Sequence, residues 1–244
     1  MDWHQRYRQQ AKWTEDLRNY IFNKIEINDS SRMLEIGCGT GAILKDIPFP
    51  VYALDIQLGS LQQAKANAPT SPLTCGDAHF LPYENQSFDI SFCHFLFLWL
   101  NNPETALAEM MRVTRPNGHI VAFAEPDYSQ RLDIPDTLAE LGVWQRDALK
   151  AQGADTAMGA KLAELFHRAG LNIIETGPIS KSTSETFDQH SWELEWAVLE
   201  SDLASQIPFE KIRQLKELDR QAWLTGERVL YVPTHYLWAR MPGG

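Results

Sequence analysis

Three glycines at alternate positions, Gly37, Gly39 and Gly41, follow the apolar run Met33-Leu34-Glu35-Ile36 and restrict this chain more than any other stretch. The run reads as a buried strand ending in a tight turn, and Ala42-Ile43-Leu44-Lys45 predicts a helix start directly after it. Glycine belongs there because the backbone must take positive φ and because a ligand must approach a main chain with no Cβ in the way. A helix N-terminus after the turn would offer unpaired N–H groups to a carboxylate or phosphate. Strand, glycine turn and helix in this order imply a nucleotide-type cofactor.

The turn alone does not say which cofactor. Gly37-x-Gly39-x-x-Ala42 also satisfies the looser G-x-G-x-x-A form of dinucleotide sites, and Asp55 lies near the distance where an acid binds a ribose. Two further features separate the readings. Glu35 stands just before the first glycine, giving E-x-G-x-G-x-G, and Asp77 closes the next apolar stretch in Gly76-Asp77-Ala78-His79-Phe80-Leu81-Pro82. Acids at the ends of three successive strands suit a cofactor with a cationic amino-acid end, a ribose and an adenine, and no phosphate.

From about residue 32 to residue 127 this combination resembles the class I S-adenosylmethionine-dependent methyltransferases. The resemblance implies S-adenosylmethionine as cofactor, with S-adenosylhomocysteine as product. It implies a cofactor site of Glu35, Gly37, Cys38, Gly39, Gly41, Asp55, Ile56, Asp77, Ala78 and His94. In it Asp55 accepts from both ribose hydroxyls, Ile56 lies against the adenine, and Asp77 bonds the adenine amino group beside the backbone of Ala78. The stretch Asp77-Ala78-x-x-Leu81-Pro82 with Ser87-Phe88-Asp89 is similar to the small-molecule branch that includes quinone-biosynthesis enzymes. Acceptor-binding residues vary within that branch, so the acceptor does not carry over.

Strands are predicted over 32–36, 50–54, 73–75, 88–93, 119–125, 171–176 and 229–238, with helices between most of them. Asn102-Pro103-Glu104 supplies an N-cap, a first-turn proline and an early acid, and Asp155 and Gly170 bracket another helix. Such alternation predicts an α/β fold: a doubly wound, seven-stranded, mostly parallel, Rossmann-like methyltransferase sheet. A length of 244 residues suits one domain, 1–244. Within it, an N-terminal helical segment (1–30) and helical insertions at 129–153 and 185–227 are expected, the insertions forming a small cap.

Composition narrows the partners. With 22 basic and 32 acidic residues the net charge is −10, which leaves no broad basic footprint for nucleic acid or an anionic membrane. Cys38, Cys75 and Cys93 lack C-x-x-C spacing and read as small buried packing residues. No H-E-x-x-H spacing occurs, so no catalytic metal is expected. The longest apolar run, 92–100, is too short for a bilayer, and the first residues carry charge, so a cytoplasmic enzyme is expected. The oligomeric state is not legible.

Two residues are candidates for catalysis. His94, at the carboxyl end of the fourth predicted strand, has a near-neutral intrinsic pKa suited to a general base, or packs as a satisfied core histidine. Glu125, at the end of the fifth, is the candidate polar group above the reacting methyl. For the acceptor, Asp127 and Tyr128 occupy the same rim, Tyr7, Arg8 and Trp13 belong to a helix that the resemblance lays over the cofactor, and Trp144 and Trp196 lie in the cap. A tryptophan-rich roof suits a small apolar or aromatic acceptor. The expected function is methyl transfer to such a metabolite. The rivals are a protein that binds the cofactor without transfer, and an NAD-dependent oxidoreductase, which Glu35 and Asp77 disfavour.

Overall fold

Apolar runs without alternation mark strands covered on both faces, and the central strand β1 (Met33–Ile36) is buried at all four positions. The computed structural model describes residues 3–49, 51–179 and 187–243. Pro50, expected to open the second strand, and residues 185–186, expected to open the second insertion, lie outside the described residues.

Beside β1 lie β2 (Val51–Asp55), β3 (Leu73–Cys75), β4 (Phe88–Cys93) and β5 (Thr114–Pro126), all parallel. Numbering strands in chain order, β7 (Asn172–Pro178) and β9 (Thr234–Arg240) complete a seven-stranded sheet of order β3-β2-β1-β4-β5-β9-β7. The strand β9 runs antiparallel to both its neighbours. This is the doubly wound, mostly parallel sheet expected. Because successive side chains leave opposite faces, Leu34 and Ile36 enter one core with Leu107 and Phe166, while Met33 enters the other with Ile21, Phe92 and Phe123.

The structure corrects several boundaries. The N-terminal helical segment expected over 1–30 contains two helices, α1 (Trp3–Trp13) and α2 (Glu15–Ile25). The break sits at Thr14, where its hydroxyl and Arg18 Nη1 both donate to the Ala11 carbonyl, at 3.2 and 2.6 Å. No α-helix follows the glycine turn; only a 3-10 turn at Leu44–Asp46 does, since Pro48 blocks continuation. Of the cysteines, Cys75 is exposed, because β3 is a sheet edge. The last strand expected, 229–238, is split at Pro233. Its first part, β8 (Val229–Tyr231), leaves the sheet to pair antiparallel with β6 (Leu132–Ile134), a strand the sequence did not announce.

Flanking the sheet are α3 (Leu58–Asn67), α4 (Pro103–Val113) and α6 (Met158–Arg168). Three further helices, α5 (Ala139–Ala151), α7 (Gln189–Leu203) and α8 (Phe209–Leu224), share a third core with Trp196, Leu199 and Leu215 at its centre. Ions tie this group to β6 and β8. Asp133 accepts from Arg131 Nε at 2.7 Å and Arg228 Nη2 at 2.6 Å, and Arg228 Nε donates to Asp219 at 2.5 Å. The other Asp219 oxygen accepts the indole N–H groups of Trp192 and Trp196, each at 2.7 Å.

Candidate functional site

The glycine turn takes the shape that its composition demands. Gly37, Gly39 and Gly41 have φ of +74°, +52° and +75°. A Cβ on Gly37 would stand 2.8 Å from Leu96 Cδ1, and one on Gly41 would stand 3.2 Å from Ala64 of α3. A side chain at Gly37 or Gly41 would meet both positive φ and a close neighbour. The N–H groups of Gly37 and Cys38 donate to the Leu54 carbonyl at 2.8 and 3.0 Å, which pins the turn to the end of β2. The turn's remaining N–H groups do not form the anion-binding helix end expected: Gly41 donates to Cys38 and Gly39 to Asp55.

Three acids stand around this turn. Glu35 is 2% exposed, and its Oε2 has no hydrogen-bond partner among the described residues. Burial pushes its carboxyl up to about 8 despite the nearby Arg18 guanidinium. Asp55 ends β2, accepting from Gly39 N and Gln57 N, both at 2.8 Å, so its carboxylate is aimed before any ligand arrives. Asp77 follows β3, and the backbone N–H of His79 holds its carboxyl below the usual range, with the imidazole also bonded at 2.6 Å. Ile56, 66% exposed, projects beside Asp55, while Ala78 is buried. Cys38 is buried, and burial drives its thiol well above its ordinary value. An orphaned buried carboxylate oxygen, glycine backbone and two rim acids fit the polar inventory of S-adenosylmethionine, whose cationic end is a partner for Glu35.

The first helix closes the other side of the turn. His4 Nδ1 bonds Thr40 Oγ1 at 2.8 Å, Arg8 pairs with Asp46 at 2.9 Å, and the Tyr7 ring packs over Gly39. Tyr7, expected at the acceptor, therefore faces the cofactor turn, and its hydroxyl pKa is raised by burial and by Asp55. The neighbouring residue Arg6 faces the opposite way, into a cavity of about 350 Å³. This chamber lies between α1, the end of β5, α7, α8 and β8; Trp13, Phe95, Tyr128, Trp192, Trp196 and Trp223 line it.

Both residues expected to do catalysis have other work. His94 is half-buried and bonded to Thr14 Oγ1 at 3.0 Å, and desolvation with the nearby Arg18 lowers it to about 3. The bond places it against the α1–α2 break. Glu125 is fully buried, and its carboxylate accepts the N–H groups of Leu96, Phe97 and Leu98 at 2.9, 2.9 and 3.1 Å. Burial still raises it to about 7. Ala124 and Pro126 line the chamber, so Glu125, one residue from each along the strand, points to the other face. Asp127 is likewise turned to a local task, accepting from Ser129 N at 3.0 Å. Tyr128, Trp13 and Trp196 line the chamber as expected positions, but Trp144 does not; it packs in the roof with Lys211 over its ring.

Sequence reasoning passed over Arg6, Arg18, Asp219 and Arg228. One signal was available for Arg18: Thr14, Arg18, Ile21 and Ile25 recur at helical steps, so a charge stands on an inward stripe. Among the described residues, no group of three or more His, Cys, Asp or Glu is arranged to hold a metal, and no helix is long and apolar enough to cross a membrane.

Comparison with known proteins agrees with this geometry. Residues 34–122 match the family described as a methyltransferase domain. The chain thus carries a class I S-adenosylmethionine-dependent methyltransferase domain, in the fold of that class. It is 34% identical over 116 residues to a demethylmenaquinone methyltransferase of Renibacterium salmoninarum, covering 46% of this chain and 49% of that protein. It is 32% identical over 155 residues to a malonyl-[acyl-carrier protein] O-methyltransferase of Halorhodospira halophila, covering 60% and 48%. The chain therefore spans about half the length of these curated relatives. A solved structure from Anabaena variabilis, described as a methyltransferase of an antibiotic biosynthesis pathway, superposes with a TM-score of 0.67. At 18% identity, over 92% of this chain and 96% of that one, it speaks to the fold alone.

Proposed function

We propose that this protein transfers the methyl group of S-adenosylmethionine to a small apolar or aromatic metabolite. One observation carries the reading: the buried, unpartnered Glu35 oxygen stands at a glycine turn rimmed by Asp55 and Asp77, and a single helix separates that turn from a tryptophan-lined chamber. The bound cofactor supplies an already activated sulfonium methyl. The chain's own residues supply alignment, a contribution of about 7–11 kcal/mol where it is complete. Glu35, held neutral by burial, would release its proton to solvent and balance the cationic end, Asp55 would hold the ribose, and Asp77 with Ile56 would hold the adenine. Cys38 would serve as packing in the turn, and the roof helices as a cap over the acceptor. Neither His94 nor Glu125 lines the chamber, so neither is assigned proton transfer from the acceptor.

Calorimetry with S-adenosylmethionine, S-adenosylhomocysteine and NAD tests the cofactor assignment; the first two should bind and NAD should not. NAD binding alone would overturn it. A methylation screen over small aromatic acceptors separates transfer from cofactor binding without turnover, the outcome that would mark a regulatory subunit.

A further inference from the structure

The chamber wall contains one buried arginine donor that the protein itself leaves unused. Arg6 is 6% exposed, and its Nη1 donates to Glu195 Oε2 at 2.8 Å and to Gln9 Oε1 at 2.6 Å. Its Nε has no hydrogen-bond partner among the described residues. The guanidinium stands 5.1 Å over the Trp13 ring, which fixes its plane. The other two chamber arginines are fully engaged by contrast, Arg131 with Asp133 and Gln145, and Arg228 with Asp133 and Asp219. Arg131 and Arg228 are neutralised by Asp133 and Asp219, which leaves Arg6, paired on one side with Glu195, as the chamber arginine with a spare donor.

We propose that the chamber binds a planar aromatic carboxylate, with the carboxylate on the Nε edge of Arg6 and the ring among Trp13, Tyr128 and Trp196. This rests on the chamber being the acceptor site and names the class of that acceptor. The Nε edge of a guanidinium is a flat fork whose two N–H groups match two carboxylate oxygens. A buried donor with no acceptor is unfavourable, and a ligand that supplies one removes the penalty. The Tyr128 hydroxyl, which burial pushes up to about 12, stays protonated and adds a second donor to the same wall. Rings of the ligand and the tryptophans then meet face or edge, as aromatic pairs prefer.

The test uses the whole chain and two probes of one shape, 2-naphthoate and 2-naphthamide, followed by quenching of the chamber tryptophans. Wild-type protein should bind naphthoate about tenfold or more tightly than naphthamide, the scale of a charge-assisted fork. The variant Arg6→Met/Glu195→Gln removes the fork without stranding a carboxylate. It should lose the preference while keeping naphthamide affinity within about threefold, with unchanged thermal unfolding and S-adenosylhomocysteine binding. Equal affinities in wild type would overturn the proposal. So would the absence of quenching by either probe at millimolar concentration, or an undiminished preference in the variant. Calorimetry keeps this distinct from the functional reading: a chain that discriminates the probes but ignores S-adenosylhomocysteine refutes methyl transfer and leaves the carboxylate site standing.

Discussion

The sheet and the roof are held together by different physics. Around β1, β4 and β5 the contacts are hydrocarbon on both faces, with Leu107, Phe92 and Phe123 fully buried. Among the described residues, the deep carboxyls there, Glu35 and Glu125, stand at the carboxyl edge, where the glycine turn lies. In the roof, Asp133, Arg131, Arg228 and Asp219 form a chain of buried ion pairs, and two tryptophans hydrogen-bond its last member. Hydrocarbon packing is tolerant of detail and gives a common scaffold. A buried ionic chain is intolerant: each partner missing leaves a charge stranded in a poor solvent. The roof's shape is therefore fixed by a few specific residues; under the proposed function those residues border the acceptor.

Breaking the ionic chain should have the largest effect. Asp219→Ala strands Arg228 and two indole N–H groups and should destabilise by about 3–5 kcal/mol in urea unfolding; Asp219→Asn, which keeps an acceptor, should cost less. A loss under 1 kcal/mol for Asp219→Ala would erase the contrast between the two regions. In the sheet the corresponding test is Leu107→Ala, expected to cost about 2–5 kcal/mol through lost burial and a cavity. Here cofactor and acceptor affinities should survive in the folded fraction, since the residue touches neither site.

At the cofactor edge, Asp55→Ala should weaken S-adenosylhomocysteine binding by about 1.5–3 kcal/mol, the range for bonds to a charged group. Unchanged affinity by calorimetry would remove Asp55 from the site. Within the roof, Trp196→Phe should raise acceptor KM roughly two- to tenfold, the scale of an aromatic contact, with cofactor affinity near wild type. Trp144→Phe should leave both unchanged, because Trp144 does not line the chamber. Equal kinetic effects of the two would mean that the roof acts only through stability.

The smallest effect is a pH slope. Glu35 is protonated in the folded state up to about pH 8, above its ordinary value, so its contribution to stability is present at low pH and falls as pH rises towards 8. Glu125, raised to about 7, acts in the same direction over a lower window, and His94, depressed to about 3, acts oppositely between about 3 and 6.5. Between pH 7 and 8 Glu35, with the higher value, carries the larger share of the slope and Glu125 the smaller. Glu35→Gln should therefore flatten the thermal stability profile there, by at most about 1.4 kcal/mol per pH unit. An unaltered slope would place Glu35 in a better solvated setting than its burial implies.

The two regions also differ in what their sequence reveals. The strands around β1 announce themselves because each is a local run, and the glycine turn because its three positions sit within five residues. Asp55 and Asp77 follow from their places at strand ends. The roof's ionic chain is assembled from residues 131, 133, 219 and 228, which no local period connects, so its members read as ordinary surface charges. Glu125 illustrates a finer failure. Its position at a strand end was legible, but which face it takes depends on a period of two counted through an irregular strand. For His94 the strand-end location was legible while base and packing both stayed open; the Thr14 bond and the desolvation beside Arg18 favour packing.

One topological detail bears on how the molecule is made. Among the described strands β7 pairs with β9 alone, and β9 also forms one side of β5. During synthesis β5 and β7 both emerge well before β9, so each must wait with an unpaired edge, the situation in which nascent chains are most open to wrong pairings. Their register, Ile120 and Ile173 both opposite Ala239, is set only when one late segment arrives between them. The slowest-assembled seam of the sheet thus runs through its interior, and a ribosome that stalls before residue 234 would release five strands of a sheet and a sixth with nowhere to attach.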